Sequence, residues 1–540
     1  MAMLNQLLAR TSAHKSPSSP MGLITALALC AGMGVSVSNA QEINEEGWTV
    51  LEPSADTRFV FVSSSTGNDS NSGYSPSKAV ESFSRAKELI RDNSADWMLL
   101  KRGDVWDEGI GGWTKSGRSA QERIVVASYG QSDERPRIEI SSGSVIAGNM
   151  NTEVGNVAIM GLHMKGVRPE ETTPTGIRWL ATGENLLVED CFIEGFKDNI
   201  TCQAVGGEFK NFALRRSVVV DAWSTSSHSQ GLFVKDSNGV VIEENFFDHN
   251  GWNEGISDAN ATMFNHNLYL QKGVMGIEFH GNITARSSGA GIQMRSGGNA
   301  SENVIYANPL GIRFGYRTID WPSESASGSL IDNVVLGGPL AVTDGAGIGI
   351  WVERADDTLV KGNVVAQYHE GSLARAYTLG GHAGDIDYIG NVAYEWVSSS
   401  GLGMGIKSSV SGEGTIRFLG NHWYMPGTDR VFSIADTNGM EFGDNGVYGF
   451  DSDDDVFHIE GSVINHDEWV ELDNVEGDDL EDMQFPDAGR NLEGYARHLG
   501  YDDTEAFFSA ARDQSRTNWD ARLTGRAASE WIRAGYIVQD

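Results

Sequence analysis

The sequence has 540 residues, of which 65 are Gly and only 12 are Pro, and its formal net charge is −34. So acidic a chain is not a general nucleic-acid-binding protein, because the phosphate backbone is bound by net positive surface. A hydrophobic content of 40% predicts a folded protein. The Gly content favours one long repetitive architecture over several ordinary domains.

Residues 1–40 have the order of a secretory signal. A basic start is followed by an apolar run over residues 21–34 and by small residues that end at Ala40. We therefore expect cleavage after Ala40 and a secreted or periplasmic protein. No later stretch reaches the ~20 apolar residues of a membrane-spanning helix. Cys191 and Cys202 are expected to be two separate thiols rather than a disulfide.

An N-terminal strand and cap helix are predicted within residues 41–100. A strand begins at Phe59 and runs into a polar loop, and a helix is predicted over residues 79–91. Its apolar residues recur at near-helical spacing, at Ala79, Phe83, Ala86 and Ile90. Such a helix would cover the open first coil of a solenoid.

A repeat organises residues 101–450. A short apolar–polar segment ends in Asn eight times, at intervals of 21 to 37 residues: Asn245, Asn282, Asn303, Asn333, Asn363, Asn391, Asn421 and Asn445. This period, with Gly-rich turns, is typical of a solenoid whose coils bury their inner faces against each other. Asn suits a recurrent turn because it tolerates turn dihedrals and can hydrogen-bond to stacked copies of itself. We predict an all-β fold, a right-handed parallel β-helix.

A second strand follows in most coils and is usually opened by Gly. Alternation directs one set of side chains inward: Leu232, Val234, Leu268, Leu270, Ile292, Met294, Ile312, Phe314, Ile348 and Ile350. The outward set is Phe233, Lys235, Tyr269, Gln271, Gln293, Arg295, Arg313 and Trp351. Stacked strands lie ~4.8 Å apart, so we expect the outward side chains to form one continuous surface.

The repeat ends near Phe450, and residues 451–540 are predicted to be an acidic segment followed by a helical cap or accessory module. Helices are predicted over residues 504–514 and 524–534, with Thr504 and Thr524 as N-caps. The acidic residues 453–455 carry oxygen ligands for Ca²⁺, but their spacing fits a solvated loop better.

This pattern resembles the secreted right-handed β-helix proteins that process polysaccharides. Residues 247–317 are most similar to the alginate lyase and chondroitinase B group, through Lys272 in Leu-Gln-Lys-Gly and Arg295 in Gly-Ile-Gln-Met-Arg-Ser-Gly-Gly-Asn. The resemblance implies a Lys base and an Arg acid on neighbouring coils, often with Ca²⁺, and Arg313 beside them. Strict alternation directs Lys235 outward instead, so the base is open between Lys235 and Lys272.

The outward residues also favour a lyase by their own chemistry. β-Elimination from a uronate removes a weakly acidic proton beside a carboxylate, whose charge must be neutralised. Arg295 and Arg313 are permanently charged donors suited to this role. Tyr269 could protonate the leaving oxygen, and His266 is a further base candidate that needs no pKa shift.

The expected substrate is an anionic, uronate-containing polysaccharide of the alginate type, bound by a monomeric protein. Its other contacts are predicted to come from amide, guanidinium and indole side chains: Gln271, Gln293, Arg313, Arg317, Trp252 and Trp351.

Two alternatives remain open at the level of sequence. A glycoside hydrolase would need two carboxylates flanking the bond, and the candidates are Asp221, Asp236, Asp248, Glu254 and Asp258. A glycan-binding surface protein would use the solenoid without catalysis. An insertion over residues 252–265 interrupts the repeat beside the predicted site, and because functional loops concentrate at such places it favours an enzyme.

Overall fold

The computed structural model describes residues 42–167, 172–316, 325–337, 346–412, 414–480 and 484–537. The predicted signal peptide and Arg317 lie outside these ranges. The described chain is a right-handed parallel β-helix with three long sheets, which confirms the predicted fold class. A typical coil contributes one strand to each of sheets A, B and C in turn and then stacks on the coil before it.

In each sheet the strands stack in the order of the chain. Sheet A has 15 strands: Phe59–Val62, Trp97–Lys101, Ile124–Tyr129, Val157–Met160, Gly183–Glu189, Phe209–Arg215, Ser237–Glu243, Met275–His280, Gly297–Ser301, Ala326–Ile331, Ala355–Lys361, Ile386–Ile389, Ile416–Leu419, Met440–Gly443 and Val475–Glu476. Sheet B has 13 strands: Val105–Trp106, Arg137–Ile140, His163–Gly166, Phe192–Glu194, Val218–Val220, Phe246–Asp248, Ile283–Ala285, Val304–Tyr306, Val334–Leu336, Val364–Tyr368, Val392–Trp396, His422–Tyr424 and Gly446–Tyr448. Sheet C has 14 strands: Gly111–Trp113, Ser144–Gly148, Thr175–Trp179, Asp198–Gln203, Gln230–Lys235, His266–Leu270, Ala290–Met294, Leu310–Gly315, Ala346–Glu353, Leu373–Ala383, Gly403–Gly412, Phe432–Ile434, Phe457–Ile459 and Ser462–Ile464.

The core lies inside the three sheets, and the inward side chains predicted for sheet C belong to it, with one exception. Ile348 lies outside this cluster and pairs in register with Leu310 and Arg375. The reason is Gly349, whose backbone itself faces the interior: a Cβ there would lie 2.4 Å from Val365. In this strand, the predicted alternation of inward and outward side chains therefore holds only for the residues after Gly349.

The recurrent Asn residues form the predicted ladder at the corner between sheets A and B. Each is at most 2% exposed, and each side-chain amide donates to the Oδ1 atom of the next Asn at 2.8–3.1 Å. The ladder ends where Asn445 donates to Asp478 at 2.9 Å. Because every amide is buried and paired, the ladder fixes the stacking of consecutive coils.

Replacing Asn333 with alanine should lower the free energy of unfolding by about 1–3 kcal/mol. The change removes a donor to Asn363 at 2.9 Å and leaves the amide of Asn303 without its acceptor at 2.8 Å. Urea unfolding monitored by circular dichroism measures the loss. The matched control is Asn438→Ala, at an exposed site, where we expect a change within about 0.5 kcal/mol. Equal effects of the two substitutions would contradict a stabilising ladder.

Both ends of the solenoid core are covered. At the first end, a 3-10 turn at Pro76–Lys78 precedes a helix at Phe83–Leu89, which is shorter than predicted because Ser82 caps it through a bond from the Arg85 amide. At the other end, the short helix His466–Trp469 places Trp469 in the core.

Three C-terminal helices pack along the outer face of sheet B, not over the open end of the solenoid. They are Leu492–His498, Thr504–Arg512 and Gly525–Arg533, and their apolar side chains form one cluster with sheet B residues from Phe192 to Tyr394. Asp503, not Thr504, caps the second helix, and Thr524 lies at the N-cap of the third without a side-chain capping bond. The first of the three helices was missed by the sequence analysis.

The C-terminal segment runs back toward the first coils. Its last helix lies beside Asp332, the middle helix beside Asp248, and Arg516 donates its backbone N–H to Asp190 at 3.0 Å. Trp519 then packs edge-on against Trp48 at 5.3 Å, so the segments near the two ends of the chain are in contact. Among the described residues, no helix is long and apolar enough to cross a membrane.

The two cysteines of the described chain are free thiols, as expected. Both are fully buried, and burial raises the pKa of each to about 12.

Candidate active site

The register of sheet C aligns its outward side chains across neighbouring coils. Phe233, Tyr269, Gln293, Arg313 and Trp351 are successive partners in the ladder. Two residues further along each strand, backbone bonds from Gln271 to Val234 and from Arg295 to Leu270 continue the stacking. We call Tyr269, Gln271, Gln293, Arg295, Arg313 and Trp351 the sheet C strip.

Arg295 is the centre of this strip. Its guanidinium carbon lies 4.6 Å from the ring centre of Tyr269 and 3.7 Å from that of Tyr316, and its Nη1 donates to Gln271 at 2.8 Å. Burial lowers the pKa of Arg295, but an arginine remains charged at any working pH. No described carboxylate lies within ion-pair distance of it. A half-buried cation between two aromatic rings therefore faces the outer surface with no carboxylate of the described chain to compensate its charge.

Gln293 and Tyr269 flank Arg295. Gln293 is 1% exposed, and its side-chain nitrogen has no hydrogen-bond partner among the described residues. Burial raises the pKa of Tyr269, while the charge of Arg295 opposes that rise. The phenol is therefore protonated near neutral pH and is available as a proton donor.

Arg313 differs from Arg295 because a carboxylate compensates its charge. It is bonded to Glu353 at 2.7 Å and lies over the indole of Trp351 at 4.4 Å. The sequence analysis missed Glu353, although alternation from Trp351 would have directed it outward. Arg313 can orient Trp351, but it is less suited than Arg295 to neutralising a second carboxylate.

The contacts of His266 make it an unsuitable base. Its Nδ1 accepts the backbone N–H of Ala290 at 2.9 Å, so the proton of the neutral ring is on Nε2. Burial lowers the pKa of His266 to about 3, and the charges of Arg295 and Arg313 act in the same direction. With its accepting nitrogen already occupied, His266 orders the backbone beneath the strip.

Lys235 and Lys272 occupy different positions relative to the strip. Lys235 is on the outer face of sheet C, one strand before Gln271, and its ammonium is 3.6 Å from Asp236. Lys272 is in the exposed turn after the strand, where its backbone N–H donates to Gln271. Two strand spacings, ~10 Å, separate Lys235 from Arg295. Of the two, Lys235 is the one that the sheet directs toward the strip.

The insertion over residues 252–265 packs beside sheet B at one end and beside sheet C at the other. Trp252 does not join the strip: its indole N–H donates to the backbone oxygen of Arg286 and its ring contacts His249 at 4.8 Å. Phe264, which the sequence analysis missed, is 58% exposed, and its backbone oxygen accepts from Gln230 on sheet C at 2.9 Å. Phe264, not Trp252, is therefore the exposed aromatic side chain of the insertion on the side of sheet C.

The carboxylates considered for a hydrolase are largely used in ion pairs. Asp248 is fully buried and is bonded by Arg286 and Arg512, and Asp221 is bonded by Arg512 and His249. Glu254 contacts the other nitrogen of His249 at 2.9 Å. Asp236 pairs with Lys235, and Asp258 is in the exposed insertion. This corner holds the C-terminal helices in place and does not provide two free carboxylates.

His249 should make the stability of this corner depend on pH. Burial opposes its charge, but the hydrogen bond to Asp221 and the charges of Asp221, Glu254 and Asp248 raise the pKa of His249 despite Arg512 nearby. A histidine whose pKa is raised in the folded state stabilises the fold fully at pH values below its pKa in the unfolded state, about 6.5. This stabilisation is lost as the pH rises through its pKa in the folded state.

We therefore expect His249→Asn to reduce the free energy of unfolding more at pH 6 than at pH 9. Asn tolerates the left-handed backbone of this position, φ 56°. Urea titrations at both pH values measure the difference, with His369→Asn, whose side chain is 62% exposed, as the control. A loss that is the same at both pH values would contradict a charged His249.

The strip does not fit a calcium ion. Ca²⁺ takes six to eight oxygen ligands, mainly carboxylates and carbonyls, whereas the strip carries two guanidinium groups, and the carboxylate of Glu353 beside it is already bonded by Arg313. In the part of the chain that the structure describes, no group of three or more His, Cys, Asp or Glu side chains is arranged to hold a metal.

No protein-family model and no curated protein matches the chain. Among solved structures it is similar to the GH136 lacto-N-biosidase from Eubacterium ramulus, with a TM-score of 0.39 and 12% identity over 78% of this chain and 67% of that one. It is also similar to the mannuronan C-5 epimerase AlgE4 A-module of Azotobacter vinelandii, with a TM-score of 0.38 and 11% identity over 65% and 86%. A rhamnogalacturonan lyase gives a TM-score of 0.32 and 13% identity over 66% and 87%. These three proteins carry three different activities, so the chemistry of this chain is argued from its own residues.

Proposed function

We propose that the protein is a secreted polysaccharide lyase that cleaves a uronate-containing polysaccharide by β-elimination at the sheet C strip. The observation that carries the proposal is Arg295: a half-buried guanidinium, stacked on Tyr269 and Tyr316, without a carboxylate partner among the described residues. Leaving such a cation unpaired is costly, and an anionic ligand offsets that cost. A uronate carboxylate fits its planar pair of donors.

In this mechanism Arg295 binds the uronate carboxylate and stabilises the enolate that forms when the neighbouring C–H proton is removed. The amine of Lys235 takes that proton. The bond between the sugar C4 and the glycosidic oxygen then breaks, its electron pair leaves with the oxygen, and the phenol of Tyr269 donates a proton to that oxygen. Gln271 supplies an amide group for sugar hydroxyls, Gln293 orders the surface beneath Arg295, and Trp351 and Phe264 supply aromatic faces for sugar rings.

The Lys235 ammonium lies 3.6 Å from Asp236, so the substrate must displace this ion pair before the amine can act as the base. Lys272 stays the second candidate, and comparing Lys235→Ala with Lys272→Ala identifies the base. The secreted or periplasmic location belongs to the same proposal, because a long polysaccharide is cleaved outside the cytoplasm. The monomeric state is proposed with it.

The test is incubation of the mature protein with alginate, pectate, chondroitin and ulvan while the ultraviolet absorbance of the unsaturated uronate is followed. Elimination raises this absorbance as the chains shorten. Shortening with new reducing ends and no absorbance would contradict the lyase and support a hydrolase. Binding without any shortening would contradict an enzyme.

A further inference from the structure

Sheet C carries a second group of cations, three to five coils beyond Arg295, that the sequence analysis did not single out. Arg375 and Lys407 are on consecutive strands, and Arg430 lies two residues before the next strand. In register, Trp351 is followed by Thr378 and then by Lys407, so the sheet C strip continues directly into this group.

Three donors in and beside this group lack acceptors among the described residues. The Nε atom of Arg375, the hydroxyl of Thr378 and the indole nitrogen of Trp351 are buried without hydrogen-bond partners in the described chain. Thr378 is only 5% exposed. Lys407 donates to the Ser433 hydroxyl at 3.2 Å, a neutral partner. Buried donors without acceptors mark a position where a water, an ion or a ligand group is needed.

Two of the three cations of the group also have no carboxylate partner in the described chain. Arg430 has a carboxylate within ion-pair distance, Asp429 at 3.2 Å, whereas Arg375 and Lys407 have none among the described residues. Burial lowers the pKa of Lys407, and the charges of Arg375 and Arg430 lower it further. Because Arg375 and Arg430 repel the charged form of Lys407, an anion bound beside them would be stabilising.

We propose that Arg375, Thr378 and Lys407 form a second anion-binding subsite, which takes a carboxylate or sulfate group of the same polysaccharide chain that binds at Arg295. This inference rests on the proposed function for its ligand. Four strand spacings separate the coil of Arg295 from that of Lys407, ~19 Å along the solenoid axis. The polymer therefore lies along the axis of sheet C and contacts several coils, and short oligosaccharides reach only one of the two subsites.

The first experiment tests the subsite without any polysaccharide. Sodium sulfate is titrated at constant ionic strength against chloride, and the thermal unfolding temperature is followed, because a ligand that binds the folded state stabilises it. We expect a saturable sulfate-specific rise in the wild type, a smaller rise in Arg375→Gln/Lys407→Gln, where Arg295 remains, and the full loss of the response only when Arg295→Ala is combined with Arg375→Gln/Lys407→Gln. The control Arg178→Gln/Lys210→Gln makes the same change of charge at exposed positions. An unchanged response in Arg375→Gln/Lys407→Gln would overturn the subsite.

The second experiment tests whether one polymer chain spans both subsites. Affinity electrophoresis first identifies a polymer that binds the wild type. Calorimetry then compares the binding of the disaccharide of this polymer with the binding of its long oligosaccharides. We expect Arg375→Gln/Lys407→Gln to weaken binding of the long chains about tenfold or more and to leave the disaccharide unchanged. Equal losses for both lengths would overturn the axial arrangement. If no polymer binds the wild type, the proposed function fails, and the sulfate titration still decides the subsite.

Discussion

Replacing Arg295 with alanine should lower kcat/KM on the cleaved polymer by about 10²–10³-fold. Arg295 lies between two aromatic rings and has no carboxylate partner in the described part of the chain, so its substitution leaves the enolate charge uncompensated. The loss should fall mainly on kcat, because this charge develops during the reaction. The rate of absorbance increase at saturating polymer measures it.

Two further variants sharpen the Arg295 experiment. Arg295→Lys keeps the charge but loses the planar pair of donors, so we expect an activity between those of the wild type and Arg295→Ala. Arg178→Ala is the matched control, because Arg178 is also outward on sheet C, exposed and four strands away from the coil of Arg295. Full activity in Arg295→Ala would remove the strip as the catalytic site.

The largest loss of stability is expected from Asp248→Ala, about 3–5 kcal/mol. The Asp248 carboxylate is fully buried and accepts from Arg286 at 2.7 Å and from Arg512 at 3.1 Å. Removing it leaves two half-buried guanidinium groups, Arg286 and Arg512, beside each other. Urea unfolding measures the total loss, and limited proteolysis followed by mass spectrometry reports whether the C-terminal helices detach first.

The control for Asp248 is Glu505→Ala. Glu505 also pairs with Arg286, but its side chain is 70% exposed, so we expect a change within about 0.5 kcal/mol. A similar loss in the two variants would contradict a central role of the buried carboxylate in docking the helices.

The sequence predicted the solenoid well because each coil repeats the same physical constraint. Asn at one corner and an apolar alternation on sheet C recur often enough to be recognised without any alignment, and the structure confirms the ladder from Asn245 to Asn445. The alternation also placed Arg295, Tyr269 and Gln293 on one face. These features depend on local periodicity, which a single sequence contains.

The contacts between distant segments could not be predicted in this way. Nothing near His266 in the sequence shows that Ala290 occupies its Nδ1, and nothing near Trp252 shows that it faces Arg286 and not the strip. Glu353 and Phe264 were missed because the partner of each lies on another coil, Arg313 and Gln230. The pairs of Arg512 with Asp221 and with Asp248 join positions that are 291 and 264 residues apart.

The C-terminal segment that runs back along sheet B has a consequence for the order of folding. Coils that contact only their neighbours can form one after another as the chain is synthesised. The segment, in contrast, needs a surface that extends from Phe192 to Tyr394 before it can pack, and its contacts are the most distant in sequence. Its docking is therefore expected to be the last and slowest step. Once docked, it links early and late coils into a single unit that must open together.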